Sequence, residues 1–513
     1  MKQNPSWTRR SFLKNASVTA SAAALLPHLA LGAEPPAAPQ PQAPAPQPAQ
    51  PAAPPRKVIV VGAGLAGLAA AWELKQLGHD VTVLEAQRRP GGRVWTMREP
   101  FADGLSAEAG AIAFSDNFHH MVRYAKQFNI PVVSPKPPAK PLRIIEYVNG
   151  KRLTIANGKE PEWPVELSPE EKKLGIFGFY PKYFITAGEA LGDPTDPSWQ
   201  LSRYTDYDKV TLHDFLKSKG ASEGAIHLLS VNTPFGYGWN EVSALHRLVS
   251  DIALFDTGGA TGGRFLEGGS DRLPMEMAKA LREKVWYNAP VVRIEQEPGK
   301  VRAVFRQNGN ERSLEADYLV LTAPIPAVRN IRITPELSAP KRNIVAKMAY
   351  TPVTRIFLQM RRRFWADEGD GGGAATDLPI QLVSEHPFLR AADQTRGILE
   401  CHLKGPNAEK VGAMDEDKQI AFAIENLEKV HPGIGGYVEN GLSVSWHRDP
   451  WAGGGYAWWK PMQMTEWLPE LKKPEGRLYF AGEHTSVLGR TLEGALESGN
   501  RTAREINDAA AKG

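Results

Sequence analysis

Two short β-branched runs, KVIVVGAG and HDVTVLEA, flank LAGLAAAWELKQLG, whose apolar residues follow a helical pattern. Gly78 stands where that helix must stop. The order predicted is strand, helix, strand. From Asp116 to Ser250 the pattern becomes largely helical, in NFHHMVRYAKQF and TLHDFLKSKG. APVVRIEQEPGKVRAVFRQ and ADYLVLTAP return to strands, and the chain closes on strand GRLYFAGE and helix LEGALESGNRTAREI. Strand-rich pieces at the start, middle and end predict an α/β fold, with one sheet assembled from distant segments and a second domain inserted twice.

Composition narrows this picture. The chain has 513 residues, enough for two domains, with 42% hydrophobic and 23% charged residues. A net charge of +4 predicts no nucleic-acid partner. The single cysteine, Cys401, excludes an internal disulfide and a cysteine-cluster metal site. Arg9 and Arg10, followed by Ser11, Phe12, Leu13 and Lys14, precede a weakly apolar run from Ala16 to Ala33. This leader (1–33) resembles a twin-arginine export signal, which passes folded proteins to the periplasm or beyond through the twin-arginine machinery. The run is too short and too polar for a stable membrane span, and it ends in small residues suited to cleavage near Ala33. Residues 34–55 are almost wholly Pro, Ala and Gln, an extended linker with nothing to bury.

The first strand–helix unit carries chemistry. Gly62, Gly64 and Gly67 lie between strand and helix, where they permit a tight turn, close approach of a pyrophosphate, and helix-on-strand packing. The helix N-terminus, at Leu65 and Ala66, turns its free N–H groups and positive dipole toward phosphates. Glu85 ends the second strand, beside Ala86, at the spacing of an acid that holds ribose hydroxyls. RRPGGRVWT then offers a second loop, with Arg93, to close on the pyrophosphate. In YFAGEHTSVLGRTLEGALESG a strand delivers Glu483 toward a ribityl chain, and a helix starting near Thr491 and Leu492 aims its N-terminus at a flavin ring.

With GAGLAGL, LEA, PGGR, RFLEGGSDRLP from Arg264, TRIFLQMRRRFW and YFAGEHTS in place, the chain resembles the flavin amine oxidase family from Lys57 to Ile506. That resemblance implies a Rossmann-like FAD-binding domain (56–115, 255–330 and 440–510) and a mixed-sheet and helical substrate domain (116–254 and 331–439). It also implies FAD contacts from Gly110, Ala111 and the backbone of Val291.

Five positions depart from the family. Gly455, in WAGGGYAWWKP, stands where some monoamine oxidases tether flavin through cysteine, so FAD is expected to bind non-covalently. Tyr456 is the candidate aromatic wall that steers an amine; Trp458 and Trp459 are further candidates, with core packing as their alternative. Arg490 and Thr491 occupy the place of the second wall, where Arg490 either faces substrate or caps the loop. Ala113 replaces the arginine with which L-amino acid oxidases grip a carboxylate, which counts against α-amino acids unless Arg490 or Arg355 substitutes. Arg355 falls where the family has a lysine that holds a water against flavin N5. It stays charged, and is free to salt-bridge, to reach substrate, or to hold a different water.

No HExxH, paired HxH or carboxylate-rich loop appears, which predicts no metal, and Ser270 sits in a turn rather than a nucleophile elbow. The reading is oxidative deamination of an amine: hydride leaves the α-carbon for flavin N5, the imine hydrolyses to a carbonyl, and electrons pass to O2 or a periplasmic carrier. An L-amino acid oxidase or a tryptophan 2-monooxygenase-like enzyme is the nearest alternative; a flavin-bearing binding protein without turnover is the second.

Overall fold

The computed structural model describes residues 53–512 except 116, 135–140, 195, 197, 235, 237, 256–262 and 387–394. The leader and nearly all of the linker lie outside the described residues. Five parallel strands form the first sheet, in the order Leu478–Phe480, Tyr318–Leu321, Lys57–Val61, Asp80–Leu84, Val285–Trp286. The central strand alternates its burial. Val58 and Val60 pack with the helix Leu65–Gln76 and the C-terminal helix Leu492–Ala511, whereas Ile59 and Val61 pack against a four-stranded meander built on Val291–Glu297 and Lys300–Gln307. Both faces are covered, which is why these strands read as unbroken apolar runs.

A second sheet of seven strands runs Val438–Ser445, Val353–Met360, Gly397–Lys404, Leu382–His386, Asp370–Thr376, Arg143–Val148, Lys151–Ile155. It is antiparallel except where Asp370–Thr376 meets Arg143–Val148. Ile356, Leu358 and Met360 face a core shared with the helix Glu416–Val430. The alternate residues Val353, Arg355 and Phe357 face the other way, which is how Arg355 comes to point inward. A mostly helical layer, including Leu212–Ser218, Glu223–Asn232 and Ala244–Phe255, covers the far side. Among the described residues, no helix is long and apolar enough to cross a membrane.

Strand pairing crosses two of the expected domain boundaries. Val438–Ser445 belongs to the seven-stranded sheet, so a division at 440 cuts a strand that pairs with Val353–Met360. Arg332–Thr334 pairs in parallel with Val291–Glu297, so the meander continues past residue 330.

Glu146 is the costly residue of the second sheet. It is buried, and burial pushes its carboxyl up to about 8 against the opposing bond from Asn232 Nδ2 (3.3 Å). With its folded value above the unfolded one, its contribution is fully present below the ordinary carboxylate range and is lost as pH rises through 8. Glu146→Gln should therefore flatten the fall in thermal stability between pH 5 and 9, by a few kcal/mol at the alkaline end. A pH profile parallel to wild type would contradict this.

Candidate active site

One cavity of about 900 Å3 runs from the end of the first strand to the inner face of the seven-stranded sheet. Its first part is a backbone cradle. Gly62 has φ +106°, and a Cβ on Gly67 would stand 1.9 Å from the Gly62 carbonyl oxygen, so strand and helix meet here only because both residues are glycine. Gly67 itself does not line the cavity; it sets the spacing. Gly62, Gly64, Leu65 and Ala66 do line it, as do Glu85 and Ala86. The Glu85 carboxylate accepts the N–H groups of Ala63 (2.6 Å) and Gln87 (2.8 Å), and burial still pushes it up. A diol donating to its remaining lone pairs would relieve that cost. Val291 lines the outer end.

Arg93 and Glu483 join the two loops that close on the cradle. Arg93 Nη1 donates to Glu483 Oε1 (3.0 Å) and to the Gly455 carbonyl (2.8 Å). Glu483 also accepts the backbone N–H groups of Ala457 (3.1 Å) and Arg490 (3.0 Å). Burial alone would raise the Glu483 carboxyl, but the adjacent Arg93 charge and these bonds hold it below the usual range. The C-terminal helix begins beside them. Its N-cap Thr491 accepts the Gly494 N–H (2.9 Å), and Thr491 and Leu492 line the cavity. A Cβ on Gly499 would come 2.3 Å from the Ala66 carbonyl oxygen, so this helix and the first one cross in contact. Two helix N-termini thus converge on one cavity, with their positive dipole ends toward it.

Arg355 lines the inner end, beside Gly110 and Ala111. Its Nε donates to Glu400 Oε1 (2.5 Å) and its Nη1 to the Gly110 carbonyl (2.6 Å); Nη2 is buried with no hydrogen-bond partner. The salt-bridging role left open for Arg355 is therefore the one observed, and Nη2 is left over for a further acceptor. Glu400 in turn meets His386 Nε2 (2.6 Å) and His402 Nδ1 (3.5 Å). Burial would raise the Glu400 carboxyl, yet the Arg355 charge holds it well below its ordinary value. Burial also lowers both histidines.

Sequence reasoning missed Glu400, His386 and His402. Glu400, His402 and Lys404 alternate along one otherwise apolar strand, the signal of a polar face turned inward. It also missed Trp446, which lines the cavity and donates Nε1–H to the Ala109 carbonyl (2.6 Å).

Tyr456, Arg490 and Ala113 line the same cavity. The Arg490 guanidinium lies 4.8 Å from the centroid of the Tyr456 ring. Trp458 and Trp459 do not line it and are corrected to core residues. They are 2% and 1% exposed, within the core of the helical layer; Trp458 pairs with Ala349, and the Trp459 carbonyl accepts the Ser243 N–H (2.9 Å). Among the described residues, no group of three or more His, Cys, Asp or Glu side chains is arranged to hold a metal.

The family model described as flavin containing amine oxidoreductase matches residues 65–507. The chain belongs to this family. Among its relatives, an L-amino-acid oxidase of Bothrops moojeni is 31% identical over 472 residues, covering 89% of this chain and 90% of the relative. One of Gloydius blomhoffii is 30% identical over 474 residues, covering 89% and 90%. Cyclohexylamine oxidase from Brevibacterium oxydans IH-35A has a similar structure, with a TM-score of 0.73 at 23% identity, covering 89% of this chain and 99% of that one. A putrescine oxidase bound to putrescine also gives 0.73, at 20% identity, covering 88% and 98%. Family membership makes the chain a flavin-containing amine oxidoreductase, and the flavin is the group its double helix cradle suits.

Proposed function

We propose that the protein is an exported enzyme that holds FAD non-covalently and oxidatively deaminates an amine. The observation that carries this reading is the continuity of the cavity: a dinucleotide cradle at one end opens onto Arg355, Tyr456 and Arg490 at the other. Gly62, Gly64, Arg93 and the N-terminus of Leu65–Gln76 would take the pyrophosphate, Glu85 a ribose, Val291 the adenine, and Glu483 the ribityl chain, with the N-terminus of Leu492–Ala511 toward the flavin ring. Bound flavin would supply the hydride acceptor and return electrons to O2 or to a periplasmic carrier. The protein orients the α-carbon of the amine, excludes water from it, and selects its neutral form. The imine leaves and hydrolyses to a carbonyl and ammonia, or a smaller amine.

Gly455 supports non-covalent attachment, since it offers no thiol, and a side chain there would come 2.6 Å from Val353 Cγ2. Acid precipitation should release all the yellow colour into the supernatant as FAD; colour kept by the precipitate would contradict it. Arg9 and Arg10 support export of the loaded protein. Changing both to lysine should leave flavin-loaded protein in the cytoplasm, and unchanged delivery would show another route. The reaction itself is tested by incubating the loaded protein with amines and amino acids plus O2 or an artificial acceptor. Stoichiometric ammonia and carbonyl are expected; neither from any compound would refute turnover and favour a binding role.

A further inference from the structure

Oxidation of an amine places positive charge on its nitrogen as hydride departs. The inner end of the cavity holds positive charge already. Arg355 lines it, and Lys404 is buried nearby on the strand paired with Arg355, its Nζ on the Pro234 carbonyl (3.1 Å). A cation forming beside these groups is stabilised by an acceptor aimed at its N–H.

Few groups lining the cavity can serve as that acceptor. Its carboxylates are Glu85, Glu311 and Glu483. Glu85 holds the N–H groups of Ala63 and Gln87, Glu483 is bonded to Arg93, and Glu311 lies between Arg293 and Arg306 (3.9 Å each). Among the described lining residues the one imidazole is that of His402.

Strand register puts His402 in place. It stands directly opposite Arg355 in the antiparallel pair of Val353–Met360 with Gly397–Lys404, so both side chains leave the same face of the sheet toward the cavity. The His402 side chain is 22% exposed, whereas those of Arg355 and Glu400 are sealed. Its Nδ1 faces Glu400 Oε1 at 3.5 Å. That carboxylate favours the ring proton on Nδ1, which leaves Nε2 as the bare acceptor. The groups around the ring are Glu400 and Lys404 on its own strand, Arg355 on one neighbouring strand, and Leu382 and His386 on the other. Burial, then the charges of Lys404 and Arg355, hold the ring well below its ordinary value against the pull of Glu400, so it is neutral at neutral pH.

We propose that His402 is a further catalytic residue, whose Nε2 accepts a hydrogen bond from the amino N–H of the substrate and holds it as the nitrogen becomes an iminium. In that step the α C–H bond breaks, its electron pair leaves with the hydrogen for the bound flavin, and the nitrogen lone pair closes the C=N bond. The new charge lies on the N–H that His402 accepts, with Glu400 behind the ring. Because this bond is stronger to an iminium than to a neutral amine, it acts on rate more than on binding. The proposal rests on the amine-oxidising reading above.

The test uses FAD-loaded protein under anaerobic conditions. With the fastest-reducing compound from a panel of amines and amino acids, His402→Leu should lower the limiting rate of flavin reduction about thirty-fold, as expected for loss of a charged hydrogen bond. The half-saturating concentration should change by no more than about threefold. His402→Gln, whose amide oxygen reaches the place of Nε2, should recover part of the rate. Cumylamine and α-methylphenylalanine have no α-hydrogen to lose. In wild-type crystals soaked with each, the amino nitrogen should stand within about 3.2 Å of His402 Nε2 in at least one. The proposal is overturned if His402→Leu reduces as fast as wild type, if its loss lies wholly in half-saturation, if glutamine recovers nothing, or if neither probe places its nitrogen on His402. Should the variants fail to fold, the position of the bound nitrogen decides alone. If no compound bleaches the flavin, the amine-oxidising reading fails, and the same crystals still decide whether His402 binds an amine.

Discussion

Replacing Glu400 with alanine should destabilise the folded protein by about 3–5 kcal/mol, the cost of leaving a buried charge without its partner. Arg355 and Glu400 are each 1% exposed, and Arg355 Nε lies 2.5 Å from the carboxylate. Without Glu400, the guanidinium keeps its hydrogen bond to the Gly110 carbonyl but no carboxylate partner, and His386 Nε2 loses its contact with Glu400. The loss is read as a lower urea midpoint at constant slope. Removing both charges, as Glu400→Gln with Arg355→Met, should recover much of it, because the penalty belongs to the unpaired ion rather than to the pair. The pH dependence has a definite sign. Glu400 is held well below its unfolded value, so its contribution is present above the ordinary carboxylate range and disappears only as pH falls far below it. An alanine variant within 1 kcal/mol of wild type at pH 7 would contradict the buried pair.

Arg355→Lys should accelerate reoxidation of the reduced protein by oxygen by about tenfold, about 1.4 kcal/mol off the barrier. The guanidinium is permanently charged, anchored at Nε and Nη1, and has one buried donor left over. Such a group would favour anionic reduced flavin electrostatically, and on the proposed reading it would leave no room for a water bridging to flavin N5. Wild type should accordingly pass electrons to a one-electron carrier faster than to oxygen. Stopped-flow reoxidation of substrate-reduced protein, wild type beside the lysine variant, checks this. Arg355 has no part in acceptor choice if wild type reacts with oxygen as quickly as with any carrier and the variant is no faster.

The cradle was legible because its determinants are local. Strand alternation, three glycines and the acid at Glu85 lie within one stretch of chain, and no distant partner is needed to interpret them. Arg355 was legible as a position, by its spacing from Phe364 and Trp365, but its partner was not. Glu400 lies on a neighbouring strand, and only the register that sets Arg355 opposite His402 and Phe357 opposite Glu400 brings the two together. Trp458 and Trp459, for which the sequence leaves cavity and core both open, fall in the core. Large aromatic residues next to a wall residue suit a cavity and a core equally; pairing with Ala349 places Trp458 in the core, and the bond from Ser243 N–H to its carbonyl places Trp459 there. The boundary at 440 failed because Glu439, Asn440 and Gly441 are poor strand residues and read as a break, although Leu442, Ser443, Val444 and Ser445 alternate; only pairing with Val353–Met360 shows that the strand begins at Val438.

Oxidation of an amine by the bound flavin is tested by an anaerobic titration of FAD-loaded protein with single amines and amino acids, following flavin absorbance and carbonyl product together. At least one compound should bleach the flavin completely, with one equivalent of carbonyl formed per flavin reduced. A fully loaded, folded protein whose flavin dithionite reduces but no amine or amino acid does would contradict it.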